Sequence, residues 1–297
     1  MSLSGTNPLT TEEVRNTTDR IRMPQVSIKP ELYHEGNTVR HALNILDLRF
    51  LNRAFKEDDG SQQFLDIGCA TGDFTRDVLL EMCKPYKRFV GVDISHDMIS
   101  YARQHSSHPK VEYEVLDICG DMSKFIEKYG RFRRVYSFYT LNSVEDQVKA
   151  MRNVADLMTV DGECLVKFVG KTQAWDAWRT LARTQRWSSY AAILEGSIPR
   201  SHYAEDQRLY IETVVQQSGL RPHTCEALRS EVKVPVQAFK EMFRALLPVS
   251  NDMSHEDKED LLDDFVEEMV ATCGSESKDS INFLTTHYFV HASKCGD

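Results

Sequence analysis

The chain contains no C-x-x-C pair, no G-x-G-x-x-G turn, and no apolar run near the ~20 residues that a membrane span needs. Its seven cysteines, Cys69, Cys83, Cys119, Cys164, Cys225, Cys273 and Cys295, are odd in number and scattered. That pattern suggests neither a disulfide framework nor a zinc site, so reduced thiols in a reducing compartment are expected. The first residues lack the apolar core of a signal peptide, and a cytoplasmic protein is the expectation. Basic residues are also in deficit: 36 Lys and Arg stand against 45 Asp and Glu, a formal net charge of −9. Phosphate backbones are bound chiefly by basic surface, so a generic nucleic-acid binder is disfavoured and a small or apolar substrate is expected. Repeats and low-complexity linkers are absent too.

What is present is organised around residues 63–74, where Phe64, Leu65 and Ile67 read as a buried strand that breaks at Gly68. Gly68 and Gly72 bound a tight turn that a backbone can bring close to a ligand. After the turn, Phe74, Val78 and Leu79 recur at helical spacing, so a helix N-terminus with free N–H groups faces the ligand. The spacing Asp66-x-Gly68-x-x-x-Gly72 differs from the dinucleotide fingerprint and carries an acid of its own. A second strand, 88–95, ends at Asp93, about where an acid reaches ribose hydroxyls in a βαβ unit. A third, 111–116, ends at Asp117 and Ile118, placed to bracket an adenine. Acids at three strand ends, with no phosphate-binding lysine, point to a cationic adenosine ligand. The candidate cofactor contacts are Asp66, Gly68, Gly72, Asp93, Ile94, Asp117, Ile118 and Ser137.

The 297 residues suffice for one large α/β domain with an insertion. Residues 1–30 read as a flexible polar arm, and 31–297 as the domain. A helix over 32–51 is expected to bury Val39, Ala42, Leu43 and Leu46. A fourth strand over 134–141 ends at Asn142 and Ser143, and a fifth covers 163–169. Strands alternating with helices predict a mostly parallel, doubly wound sheet. After Gly170 the alternation stops, and 171–270 reads as a helical cap with Val232, Val234 and Val236 as an edge strand, since Pro235 cannot donate to a ladder. A last strand runs over 281–290.

The glycine turn with Asp93 and Asp117 resembles the class I S-adenosylmethionine-dependent methyltransferases. The likeness narrows with Leu32-Tyr33 and Asn37, Asp66-Ile67-Gly68-Cys69-Ala70, Val92-Asp93-Ile94-Ser95, Val115-Leu116-Asp117-Ile118, Ser137-Phe138-Tyr139-Thr140-Leu141 and Ser280-Ile281. In this order, over roughly Leu32 to Lys294, the chain is similar to the juvenile hormone acid O-methyltransferases of arthropods. The resemblance implies a Rossmann-like seven-stranded sheet with an antiparallel last strand. It implies methyl transfer from S-adenosylmethionine to the carboxylate of a farnesoic-acid-like sesquiterpenoid, a small apolar acid. It also locates the departures: Arg40 where the family has a carboxylate-seating glutamine, and Asn142-Ser143 where it has His-Trp. Arg40, Asn142 and Ser143 are therefore the candidate catalytic residues, and Tyr33, Trp175, Trp178 and Phe243 the candidate acceptor contacts. Methylation of another small molecule, or cofactor binding without catalysis, are the alternatives.

Overall fold

The structure is a computed structural model and describes residues 28–51, 54–57, 59–249, 253–274 and 279–294; the side chains of Thr38, Val39 and Phe50 also fall outside it. The expected arm lies outside the described residues except for its last three.

Seven strands form one sheet: β1 (Gln63–Ile67), β2 (Arg88–Asp93), β3 (Val111–Val115), β4 (Phe132–Phe138), β5 (Met158–Thr172), β6 (Leu220–Pro235) and β7 (Ser280–Lys294). Their spatial order is β3-β2-β1-β4-β5-β7-β6. β7 runs antiparallel to both its neighbours, and the other six strands are parallel. Side chains alternate across β1, β2 and β4 so that both faces of the sheet are covered. Leu65, Ile67, Val90, Val92 and Val135 point into one apolar core. Phe64, Phe89, Tyr136 and Phe138 point into the other. The first core is closed by α5 (Ser123–Tyr129), α6 (Gln147–Leu157) and α9 (Gln207–Gln217). The second is closed by the helix over 73–82, α3, and by Leu48 of α2 (Thr38–Leu51). Ile99 and Ala102 of α4 (His96–His105) pack against Tyr113 beside it.

Register decides where the site lies. Ile67 at the end of β1 pairs with Val92 and Ser137, so Gly68, Asp93 and the chain after Phe138 emerge along one edge. Asp93 pairs with Val115, which brings Asp117 to the same edge. Ligands of open α/β sheets bind outside these carboxyl ends.

The segment 171–270 divides in two. α7 (Gln173–Ala182), α8 (Ala191–Gly196), α10 (Val236–Arg244) and α11 (His255–Cys273) build an apolar cluster of their own. In contrast, α9 and β6 belong to the sheet and its core. β6 takes in Val232 and Val234 of the expected strand, while Val236 opens α10; it also starts earlier, because residues such as Arg221, Arg229 and Glu231 are polar and lie on an edge strand where burial leaves no hydrophobic signature. Within the cluster Trp178 stacks on Phe265 at 3.7 Å, and Phe243 lies 4.9 Å from the same ring.

The face of α2 turned inward is not the apolar one. Leu43 and Leu46 are 41% and 60% exposed, whereas Asn37 before the helix, with Asn44 and Leu48 within it, is buried. With half-buried His41, these residues recur every three or four positions, the helical period, but they are mostly polar because the helix covers a polar cleft.

Candidate active site

Between α2, the helix α1 (Pro30–Glu35) and the carboxyl edge of the sheet lies a cleft. Among its lining residues are Tyr33, Arg40, His41, Asp66, Gly68 and Tyr139. The glycine turn forms its floor. Gly68, Ala70 and Gly72 all have positive φ, at +76°, +47° and +73°. A Cβ at Gly72 would lie 2.7 Å from the Tyr113 ring, whose hydroxyl donates to the Gly72 carbonyl at 3.0 Å. The turn is therefore held from beneath.

Asp93 fixes the turn from the side. Its Oδ2 accepts from the Ala70 amide at 3.1 Å and its Oδ1 from the Ser95 amide at 2.9 Å. Burial pushes its carboxyl up from the usual range, against these backbone bonds. Asp66 is more extreme: burial raises it to about 7, opposed by a 2.5 Å bond from the Thr75 hydroxyl and reinforced by the charges of Asp93 and Asp73. Thr75 opens a π-helical turn, Thr75–Leu79, of the kind that clusters at functional sites. Asp73 accepts from the Thr71 hydroxyl at 2.8 Å and faces His34 Nδ1 at 3.0 Å and His41 Nε2 at 3.9 Å. The carboxyl groups of Asp66, Asp73 and Asp93 thus gather around a glycine-lined turn, an arrangement that suits a cationic ligand.

Arg40 faces the cleft. One guanidinium nitrogen donates to Asn37 Oδ1 at 2.5 Å, the guanidinium lies 4.5 Å from the Tyr33 ring centre, and its buried Nε has no partner. An unpaired buried donor on a cation is a place for an anionic oxygen.

The cleft thus brings together Tyr33, Arg40, Asp66 and Gly68 of the sequence candidates, with Gly72 in the adjoining turn and Asp93 hydrogen-bonded to that turn from the end of β2. Asp117 is exposed at the same edge, its Oδ1 accepting from Cys119 N at 2.8 Å. Four candidates, Ser137, Ile118, Trp178 and Phe243, are not among the residues that line the cleft. Ser137 is fully buried, and its hydroxyl is spent on the Ile67 carbonyl at 3.0 Å, tying β4 to β1. Ile118 is 6% exposed within the sheet core, whereas Ile94 is 54% exposed. Trp178 and Phe243 are buried in the cluster formed by α7, α8, α10 and α11, packed on other rings. Trp175 is half-buried beside His202, at 5.5 Å. Asn142 and Ser143 sit on a 3₁₀ turn, Leu141–Ser143, just beyond β4. Asn142 Nδ2 donates to Ser143 Oγ at 3.2 Å, and its buried Oδ1 is unpartnered.

Sequence reasoning missed His41, Asn44, Asp73 and Tyr139, all lining the cleft. The available signal was the polar period of α2 and Asp73 at the start of α3, where an acid suits a helix N-terminus.

A methyltransferase-domain family model matches residues 58–246. The juvenile hormone acid O-methyltransferase of Bombyx mori is 31% identical over 244 residues, covering 81% of this chain and 84% of that protein. Its namesake from Drosophila melanogaster is 28% identical over 269 residues, covering 88% and 90%. Among solved structures, a putative methyltransferase from Bacillus halodurans superposes with a TM-score of 0.54 at 15% identity, covering 85% of this chain and 99% of that one. Phosphoethanolamine N-methyltransferase 2 of Haemonchus contortus, solved with S-adenosyl-L-methionine, reaches 0.51 at 17% identity over 89% of this chain and 56% of that one. Those two likenesses speak for the fold. With the domain model and the insect relatives spanning most of its length, the chain belongs to the juvenile hormone acid O-methyltransferase family.

Proposed function

We propose that this S-adenosylmethionine-dependent O-methyltransferase esterifies the carboxylate of a small apolar acid of the juvenile hormone acid type, with Arg40 seating that carboxylate. The names of the insect relatives support the acceptor class. The observation that carries the reading is the unpartnered Nε of Arg40 in the cleft floored by the glycine turn.

S-adenosylmethionine, the cofactor, supplies a methyl group on a sulfonium sulfur. Asp66, with Gly68 and Gly72, would receive its charged end, Asp93 the ribose hydroxyls, and Ile94 and Asp117 the adenine. A carboxylate acceptor would be its own nucleophile: its oxygen would form the bond to the methyl carbon, the electron pair of the broken bond would stay on sulfur, and no general base would be needed. The chain's task is then orientation, worth up to ~7–11 kcal/mol, and exclusion of water, which favours loss of opposite charges. Reduced thiols fit the cytoplasm as its location: Cys69, Cys83, Cys119, Cys164, Cys225 and Cys273 are all free.

A second reading, transfer to a hydroxyl or amine of another small molecule, draws on His41. It lines the cleft, and burial lowers its pKa despite Asp73, so it is a neutral imidazole able to take a proton.

Arg40→Gln tests the seat. Losing a charge-assisted bond of roughly 1.5–3 kcal/mol is expected to raise KM for an apolar acid about tenfold or more while leaving the single-turnover rate undiminished. Donor affinity measured by calorimetry should stay within about twofold, on the same scale. A loss that falls on donor affinity instead assigns the guanidinium to the cofactor's own carboxylate; no change in either removes Arg40 from the site.

A further inference from the structure

The carboxyl edge of the sheet holds the cleft; the opposite edge holds a second cluster. Glu163 of β5 pairs with Arg134 of β4, which in turn pairs with Phe64 near the start of β1, so Glu163 stands at the end remote from Gly68. Two histidines from the two strands that follow converge on it. His291 of β7 pairs with Leu165, placing its ring beside Glu163. His223 of β6 is the extra residue of a bulge: Pro222 pairs with Ala292 and Thr224 with His291, leaving His223 between them. Bulges re-aim side chains, and here the ring of His223 lies 4.8 Å from that of His291.

From this geometry we propose that Glu163, His223 and His291 bind a zinc ion. His291 Nε2 lies 3.3 Å from Glu163 Oε1, His223 Nε2 lies 4.0 Å from the same oxygen, and all three donor atoms fall within 4.8 Å of one another. Four ligand atoms held tetrahedrally at ~2.0–2.2 Å from zinc stand roughly 3.3–3.5 Å apart. The Glu163–His291 pair already has that spacing, and His223, a third of whose side chain is exposed, closes the remainder by a small ring rotation. Glu163 is 2% exposed, and a buried carboxylate is stable when it is paired or bound to metal. Its other oxygen accepts the Lys56 amide at 3.0 Å, the kind of outer bond that orients a metal-binding carboxylate. The exposed side of His223 leaves a fourth position open to water. The ion would clamp β5, β7 and β6 at the sheet edge, away from methyl transfer. Sequence spacing hides the set, because its members come from three separate strands.

The test uses the full-length chain, stripped with chelator under reductant and titrated with Zn²⁺ by calorimetry, with thermal unfolding followed in parallel. The expected result is one ion per chain, bound with an affinity on the order of micromolar or tighter, and a rise in melting temperature. His223→Asn, a change at the surface, should weaken binding at least tenfold and erase the thermal gain while S-adenosylmethionine affinity is unchanged. Zinc binding by His223→Asn equal to the parent's would place the ion on thiols, and absence of stoichiometric binding by the parent would leave the cluster as hydrogen bonds alone; either result overturns the proposal.

Discussion

Gly68→Ala is expected to lower stability by about 2–5 kcal/mol and to abolish donor binding at concentrations that saturate the parent. Gly68 has φ +76°, a conformation that costs an L side chain roughly 1–2 kcal/mol. Its added Cβ would also lie 1.8 Å from Thr140 Oγ1 and 2.6 Å from Thr140 Cγ2. Thr140 cannot simply swing aside, since its hydroxyl donates to the Ile67 carbonyl at 3.1 Å, so the turn itself must shift. Overpacking of this kind adds about 1–3 kcal/mol. Thr140→Gly in the same chain removes the colliding atoms and should return the steric share while leaving the backbone strain. Chemical denaturation together with calorimetry of donor binding measures both effects. A Gly68→Ala protein with parental stability and affinity would show that the turn is not the constrained cradle described.

The other large effect is a pH dependence set by Asp66. Its folded carboxyl titrates at about 7 rather than 3.8, so between these values the folded state holds a proton that the unfolded state has lost. The stability this provides is complete below about 3.8 and disappears as pH rises through about 7, a swing on the order of 4 kcal/mol. A cationic donor needs the ionised form, so below pH 7 binding must release a proton. Affinity is then expected to climb by up to about tenfold per pH unit and to level off above about 7. Asp66→Asn should flatten that profile, weaken donor binding at pH 8 and, with no buried charge to form, raise the stability of the free protein there. Calorimetry in buffers of different ionisation enthalpy counts the proton; an unchanged pH slope in Asp66→Asn would show that another group carries it.

The parts of this molecule readable from sequence are those where a residue type is demanded by the backbone or by charge at a strand end. Gly68 and Gly72 are legible because the turn needs positive φ, and Asp66, Asp93 and Asp117 because each lies in or just past a stretch that reads as a strand. α2 was misread for a physical reason: the apolar stripe rule assumes that inside means apolar, yet Asn37, His41 and Asn44 turn inward to a polar cleft while Leu43 and Leu46 face out. Large rings such as Trp178 and Phe243 suit an apolar pocket in sequence, and in the fold both are buried among α7, α10 and α11, a distinction that composition does not carry. Distinguishing Ile94 from Ile118 required knowing which side of a strand end each occupies, which no local pattern encodes.

The methyl group is expected to end on a carboxylate oxygen, and the linkage itself can be read. The protein is incubated with S-adenosylmethionine labelled in its methyl group and a panel of apolar acids, phenols and amines; the product is then treated with mild alkali and the volatile label counted. A methyl ester hydrolyses and releases its label as methanol, whereas an N-methyl group or an aryl methyl ether keeps it. Transfer from this protein is predicted to be alkali-labile and confined to the acids. Label that resists alkali, or that appears only with phenols or amines, would contradict the account.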